Sequence, residues 1–291
     1  MEITASMVKD LREKTGAGMM DCKKALVECN ADMDKAIDYL REKGITKAAK
    51  KADRIAAEGL SNIYINGNKA VVIEVNSETD FVAKNAEFKE LLDKIGNALL
   101  QSEAKTMEEA LEVIAENDTI NNLIINATAK IGEKISFRRF EVVEKEDSQL
   151  FGSYIHMGGK ISSLVVMEGN NEAVAKDVAM QAAAMRPLYM RKEDVPSEAL
   201  EHERSVIKEQ VINEGKKLEF ADKIIEGRLS KFYEEVVLLE QKFIKDSGLT
   251  VSNYIDNNNS KLIKMAKYEV GEGMEKRNDD FAAEVMSQIN G

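Results

Sequence analysis

Glu74-Val-Asn-Ser-Glu-Thr-Asp-Phe-Val-Ala-Lys84 is the stretch in which a strand pattern changes into a helix pattern. Residues 70–75 are mostly β-branched and apolar, which is typical of a buried strand. The polar residues that follow bring turn and cap chemistry. From residue 81 to 100, apolar residues repeat at helical spacing. The stretch therefore predicts a strand and a helix joined by a loop that projects Asp80 and Phe81.

The aromatic residue of this loop has two interpretations. A Phe at the junction of a strand and a helix is most often a core residue. Asp80, directly before Phe81, favours a projecting contact instead, because an apolar core has no place for the carboxylate.

Three helices are predicted in residues 1–54. The first begins after Thr4, the third begins after the cap residue Asp32, and Gly44 closes the third. Their apolar residues recur at helical spacing, as in Cys22, Ala25, Leu26 and Cys29, or Met33, Ala36, Ile37 and Leu40. A polar connector follows, with a boundary near residue 54. Adjacent Met19 and Met20 cannot share one helix face, so at least one is expected at the surface, where a flexible thioether suits a binding patch.

The rest of the chain contains an internal repeat. Residues 64–73 and 154–166 both predict hairpins with an apolar second strand, and residues 135–142 parallel 263–270 as returning strands. The Thr-Asp-Phe element has no counterpart in the second copy, which reads Asn171-Glu-Ala173. An element that a folded duplicate lacks is better explained by binding than by folding.

The second copy is interrupted by a charged helical hairpin over residues 197–229, which enters after two prolines and turns at Gly215. Residues 275–289 predict a short amphipathic helix at the end of the chain.

Composition narrows the class of protein. The net charge of −11 argues against a general nucleic-acid binder, although residues 1–54 carry 12 Lys and Arg against 10 Asp and Glu. No apolar run approaches the length of a membrane span, so a cytosolic protein is expected. Cys22 and Cys29 lie roughly 10 Å apart on one helix, too far for a disulfide. They are expected to be small buried hydrophobes in a reducing compartment.

No catalytic, metal-binding or nucleotide-binding motif is present in the sequence, and no enzyme is expected. His156 and His202 have no ligand partners at metal-site spacing, and no phosphate-binding glycine loop occurs. The three short helices also favour another class of function, a helical, peptide-binding head on an assembly scaffold.

Two long segments resemble one known family. Leu11-Arg-Glu-Lys-Thr-Gly-Ala-Gly-Met-Met-Asp-Cys-Lys-Lys-Ala-Leu26 is similar to the N-terminal signature of the translation elongation factor Ts family, and the stretch from Glu74 to Lys84 is similar to its second signature. Tyr268-Glu-Val-Gly-Glu-Gly-Met-Glu-Lys276 and Phe281-Ala-Ala-Glu-Val285 resemble its C-terminal end. The resemblance covers essentially the whole chain.

This resemblance implies a cytoplasmic guanine-nucleotide exchange factor that binds elongation factor Tu and promotes release of GDP. It implies no cofactor, no metal, and no direct binding of nucleotide, nucleic acid or membrane; a homodimer is possible. The implied wedge beside the nucleotide consists of Thr79, Asp80, Phe81 and Val82, which would disturb the magnesium and phosphate site. The implied head contacts are Lys9, Arg12, Met19, Met20 and Lys23, and the contacts of the second repeat are His156, Met157 and Gly158.

The predicted fold is α+β, with helices packed on small antiparallel sheets in a duplicated core. The predicted parts are a UBA-like three-helix domain at 1–54, a first core repeat at 55–145, a second repeat at 146–190 and 230–273, an antiparallel helical hairpin inserted at 191–229, and a C-terminal helical module at 274–291.

Overall fold

The chain forms an α+β protein of two compact units. The computed structural model describes residues 3–15, 17–215 and 218–275. One unit contains the described residues up to Tyr64, Ile73–Val142 and those from Glu269 onward. The other contains Ile65–Val72 and Val143–Tyr268. The predicted tail helix lies outside the described residues.

Three helices open the first unit: α1 (Ala5–Thr15), α2 (Met19–Glu28) and α3 (Met33–Ala49). Their starts follow from side-chain caps, because Thr4 Oγ1 accepts a hydrogen bond from the Met7 N–H at 3.3 Å and Asp32 Oδ1 accepts one from the Lys35 N–H at 3.1 Å. The apolar faces meet in a cluster of buried residues formed by Val8, Leu11, Cys22, Ala25, Leu26 and Ala36. Cys22 is buried and Cys29 is only partly so, and both thiols are free.

The first repeat follows as a sheet with helices. Its elements are β1 (Glu58–Asn66), β2 (Lys69–Ser77), α4 (Asp80–Lys84), α5 (Ala86–Gln101), α6 (Met107–Glu112), β3 (Ile114–Ala115), β4 (Asp118–Thr119), α7 (Ile120–Ile131) and β5 (Ser136–Glu144). The sheet has the order β1-β2-β5. Phe88, Ile95 and Leu99 of α5 are completely buried, as the helical spacing predicts.

The predicted single helix over residues 81–100 is wrong in one respect, since it is broken at Asn85. Asn85 has extended backbone angles, and its Oδ1 accepts a hydrogen bond from the Glu87 N–H at 2.9 Å. Asn competes with a continuing helix by capping the next one. Asp80 and Phe81 consequently lie in the first turn of the short helix α4, not in a loop.

Gly44 does not close α3, contrary to the sequence prediction. The helix continues to Ala49, and Gly44 is buried beside α7, where a Cβ at its position would lie 3.7 Å from Asn126 Oδ1 and 3.8 Å from Ala129 Cβ. Packing of α3 on α7 therefore overrides the weak helix propensity of glycine.

The second repeat consists of β6 (Gln149–His156), β7 (Ile161–Glu168), α8 (Glu172–Met185), α9 (Ser197–Asn213), α10 (Leu218–Val236), β8 (Lys242–Phe243), β9 (Asp246–Thr250), α11 (Val251–Asn257) and β10 (Lys261–Glu269). Strands β6 and β7 pair antiparallel, from Gln149 opposite Glu168 to His156 opposite Ile161. The sheet has the order β10-β7-β6. In both copies the returning strand thus pairs with the second strand of the hairpin, as a duplication requires.

Helices α9 and α10 interrupt this copy after α8. They share a small apolar cluster of Ile207, Val211, Ile225 and Leu229. The helix α10 ends at Val236, beyond the predicted end at residue 229. Its last carbonyl oxygen accepts hydrogen bonds from the Leu188 and Tyr189 N–H groups, both at 2.9 Å, which fix the root of the pair. Among the described helices, none is long and apolar enough to cross a membrane.

Candidate functional site

The turn that carries the projecting side chains begins at Thr79. Its Oγ1 accepts a hydrogen bond from the Val82 N–H at 3.4 Å and so caps helix α4. The Ser77 hydroxyl donates to the Thr79 carbonyl oxygen at 2.8 Å, which tightens the turn at the end of β2. The sequence therefore ends the strand and starts the helix within three residues.

This turn separates buried from exposed side chains. Val82 and Ala83 face the core, whereas the Phe81 side chain is 79% exposed. The core interpretation of Phe81 is therefore wrong. An aromatic side chain gains most from burial, so its exposure at a capped turn is typical of a contact surface.

Lys84, one turn further along α4, contacts both projecting side chains. Its Nζ lies 2.6 Å from Asp80 Oδ2 and 5.8 Å from the centre of the Phe81 ring. Both contacts are solvent-exposed and each stabilises the turn only slightly. They nevertheless place an acidic, an aromatic and a basic group within one helical turn.

A second loop, between α7 and β5, holds this turn in place. Glu133 Oε2 accepts a hydrogen bond from the Thr79 N–H at 3.0 Å, and Glu133 Oε1 accepts one from the Thr79 hydroxyl at 2.7 Å. In return, Glu78 Oε1 accepts a hydrogen bond from the Lys134 N–H at 2.6 Å. The two loops therefore bind each other reciprocally through Glu78 and Glu133.

Glu74, on β2 before the turn, is the buried charge of this region. Its carboxylate accepts hydrogen bonds from Arg138 Nη1 at 2.9 Å, Arg139 Nε at 2.6 Å and the Gly271 N–H at 2.9 Å. Burial alone would raise the pKa of Glu74, but the Gly271 N–H and the two guanidinium groups outweigh it, and the pKa is lowered. Glu74 therefore remains charged at neutral pH and joins β2, β5 and the segment after β10.

Gly271 can reach Glu74 only because it has no side chain. Its φ is +74°, and a Cβ there would lie 2.3 Å from the Ala57 carbonyl oxygen.

The predicted head residues are all at the surface. Met19 is 56% exposed and Met20 is 74% exposed, at the start of α2. The three basic side chains are exposed as well: Lys9, Arg12 and Lys23. The sequence required at least one exposed Met, and the structure exposes both.

The predicted residues of the second repeat form the tip of the β6–β7 hairpin. The His156 carbonyl oxygen accepts hydrogen bonds from the Gly159 and Lys160 N–H groups, both at 3.1 Å. Met157 and Gly158 have positive φ values, 49° and 65°, and the Met157 side chain is 67% exposed. A left-handed Met with an exposed thioether is strained and unburied, which suits a contact role better than a folding role.

Two groups that shape the site were not predicted from the sequence. Glu133 stands more than fifty residues from the Thr79 turn that it supports, and Arg138 and Arg139 stand more than sixty residues from Glu74, which they bind. Single charged residues in an acidic chain carry no signal of their partners. Within the described residues, no three His, Cys, Asp or Glu side chains are placed to hold a metal ion together.

Comparison with known proteins identifies the family. The model of the family "Elongation factor TS" matches residues 78–272. An elongation factor Ts from Limosilactobacillus reuteri (strain DSM 20016) is 55% identical over 289 residues, which cover 99% of both chains. The same identity and coverage hold for an elongation factor Ts from Limosilactobacillus reuteri subsp. reuteri (strain JCM 1112).

The chain belongs to the elongation factor Ts family. The family model spans the Thr79 turn, its Glu133 support and the β6–β7 tip, while the elongation factor Ts relatives extend the match over the three N-terminal helices. The resemblance seen in the two signatures is thereby confirmed over the full length, and the chain is a factor of translation elongation.

Proposed function

We propose that this protein is a guanine-nucleotide exchange factor that binds elongation factor Tu with GDP and accelerates GDP release. The observation that supports this function best is the exposure of Phe81, 79%, on a turn whose next residue, Val82, is buried. Asp80 and Phe81 act as a wedge beside the nucleotide and disturb the magnesium and phosphate site, with Thr79 and Val82 fixing the turn that carries them.

Thermodynamic linkage requires more than this wedge. A nucleotide held with nanomolar affinity is bound by about 12 kcal/mol. The exchange factor lowers the affinity of elongation factor Tu for nucleotide, and by linkage the bound nucleotide must lower the affinity of elongation factor Tu for the exchange factor by the same ratio. A single aromatic hot spot contributes about 2 to 4 kcal/mol. Further contacts must therefore supply the rest of the coupling.

Two further surfaces provide these contacts in the proposal. The head residues dock on the nucleotide-binding domain of the partner, as a UBA-like domain at 1–54. The β6–β7 tip reaches a β-barrel domain of the partner. The exposed head residues are Lys9, Arg12, Met19, Met20 and Lys23, and the tip residues are His156, Met157 and Gly158.

The remaining parts have separate roles in this proposal. The core repeats, 55–145 and 146–190 with 230–273, carry the wedge and the tip. The antiparallel hairpin at 191–229 serves self-association or another partner, and the module at 274–291 contacts the nucleotide-binding domain. The factor acts in the cytoplasm as a binding protein rather than an enzyme, and it does not itself bind nucleotide, nucleic acid or membrane.

Release of fluorescent GDP from elongation factor Tu tests the proposal directly. The wild-type chain is expected to accelerate release. Phe81→Ala is expected to slow the accelerated release roughly 30-fold or more, because it removes about 2 kcal/mol of wedge contact. Ile114→Ala is the matched control, since Ile114 is an exposed apolar residue of the same unit, 61% exposed, outside the proposed contacts.

Thermal unfolding separates a contact role from a folding role. Both variants should melt close to the wild type, because neither side chain is buried. The proposal fails if the wild type leaves GDP release unchanged. The wedge assignment fails if Phe81→Ala melts many degrees lower but releases GDP at the wild-type rate. If the wild type has no effect on GDP release, a head that binds peptides without exchange activity is the better interpretation.

A further inference from the structure

The N–H and hydroxyl groups of Thr79 have one common acceptor. Both donate to the Glu133 carboxylate, at 3.0 and 2.7 Å, one to each oxygen. The same hydroxyl oxygen accepts the Val82 N–H at 3.4 Å. Glu133 therefore orients the hydroxyl so that the lone pairs of the hydroxyl oxygen face helix α4. This orientation fixes the first turn of α4 and with it the direction in which the Phe81 side chain points.

Glu133 is itself held in place by its neighbours on both sides. Gly132 ends α7 in the left-handed conformation, with φ of 88°. The Lys134 N–H donates to Glu78 Oε1 at 2.6 Å, and the Ile135 N–H donates to the buried Thr128 Oγ1 at 3.1 Å. The Glu133 carboxylate thus extends from a loop whose backbone is hydrogen-bonded at the next two residues, Lys134 and Ile135.

The exposure pattern distinguishes positioning from general stabilisation. Glu133 and Thr79 are half-buried, and these two hydrogen bonds join them to each other rather than to a buried side chain. What the carboxylate fixes is the first turn of α4, which carries Asp80 and Phe81. A bidentate, charge-assisted pair gives geometric specificity as well as energy.

We infer that Glu133 is a positioning residue for nucleotide exchange and acts through the direction of Phe81. This inference rests on the proposed function and adds to it a residue more than fifty positions away from the wedge. A contact displaced by even a fraction of a helical turn misses the partner, so loss of the Glu133 carboxylate slows exchange without removing any contact atom.

The experiment is a double-mutant cycle on the full chain, with fluorescent GDP release from elongation factor Tu as the measurement. The variants are Glu133→Gln, Phe81→Ala and both together. Glu133→Gln keeps one oxygen to accept the Thr79 N–H but removes the negative charge and the acceptor of the Thr79 hydroxyl, which must turn round to accept from the amide. It is expected to slow the maximal release rate roughly tenfold, the effect of losing one charge-assisted hydrogen bond. In the Phe81→Ala background the same change should have little further effect.

Substitutions at Thr79 repeat the test from the other side. Isosteric Thr79→Val removes the hydroxyl and should slow release about as much as Glu133→Gln, whereas Thr79→Ser, which keeps the hydroxyl, should slow it less. If Glu133→Gln fails to fold, as circular dichroism would show, the Thr79 pair tests the same orientation.

The outcomes are distinct from those of the proposed function. If the wild type accelerates release and Phe81→Ala slows it, exchange by the wedge stands. The positioning role is then overturned if Glu133→Gln exchanges at the wild-type rate, or if its effect is as large in the Phe81→Ala background as alone. A parallel fall of Thr79→Ser and Thr79→Val would also overturn it.

Discussion

Glu74 shows how a single residue can be charged and completely buried. Four donors surround its carboxylate: two guanidinium groups, the Gly271 N–H and the Asn76 amide at 3.1 Å. The two arginine side chains are 24% and 28% exposed, so water still hydrates their guanidinium groups in part. The carboxylate itself has no such help, and the hydrogen bonds must replace all of its hydration.

Glu74→Gln tests this account. The amide removes the buried counter-charge that Arg138 and Arg139 share, while Arg139 keeps its ion pair with Glu272 at 3.3 Å. This change should lower the free energy of unfolding by about 3 kcal/mol at pH 7, the lower end for a broken buried pair. Urea denaturation measures the change. Glu144→Gln on β5 is the control, because Glu144 is exposed and should change stability by less than about 0.5 kcal/mol.

The difference in stability between the wild type and Glu74→Gln should depend on pH in a defined way. The pKa of Glu74 is lowered from 4.5 in the folded state. Its stabilising effect is therefore complete above pH 4.5 and disappears as pH falls through the folded-state pKa. The stability difference between wild type and Glu74→Gln should be constant down to about pH 5.5 and shrink in acid. A difference that grows in acid would contradict the account.

At the scale of elements, helix starts followed local sequence signals, whereas the end of one helix depended on what packs against it. The caps Thr4, Asp32 and Thr79 could be predicted, because a polar side chain before an apolar face is a local signal. Gly44 could not, because only its burial against α7 keeps the helix running. The apolar positions of α5 were correct, since they depend only on periodicity. The Glu133 support for the wedge depends on a loop that no local pattern connects to it.

Two helix glycines should respond oppositely to the same substitution. Gly44→Ala is expected to stabilise the protein by about 0.5 to 1 kcal/mol, because the new Cβ makes ordinary contacts and alanine favours the helix. Gly96→Ala on α5 should destabilise it by more than about 2 kcal/mol, because the Cβ would lie 2.0 Å from the Tyr64 ring. That ring cannot easily move, since the Tyr64 hydroxyl donates to Asp93 Oδ1 at 2.7 Å. Chemical denaturation measures both, and a common sign would refute the packing argument.

At the scale of the whole molecule, the α9–α10 pair has its own apolar cluster and is hydrogen-bonded at its root through the Val236 carbonyl oxygen. Replacing residues 197–229 by a short Gly/Ser loop removes that cluster as a set and leaves the Val236 hydrogen bonds in place. GDP release is therefore expected to stay within about threefold of the wild type, because a highly charged surface forms few hot spots. Sedimentation before and after the replacement would reveal any lost self-association. A collapse of exchange in a variant with native circular dichroism would contradict this division of roles.

The path of the chain beyond Gly215, between α9 and α10, determines what a backbone cleavage there would do. Beyond Gly215 the chain supplies β10 to the sheet of the second repeat and then the Gly271 N–H to Glu74 in the first unit. A protease that nicks the backbone just after Gly215 would thus yield two fragments, each of which builds part of both units. The nicked protein should remain a single particle in gel filtration and separate only in denaturant. Co-expressed fragments 1–215 and 216–291 should likewise assemble as a split protein.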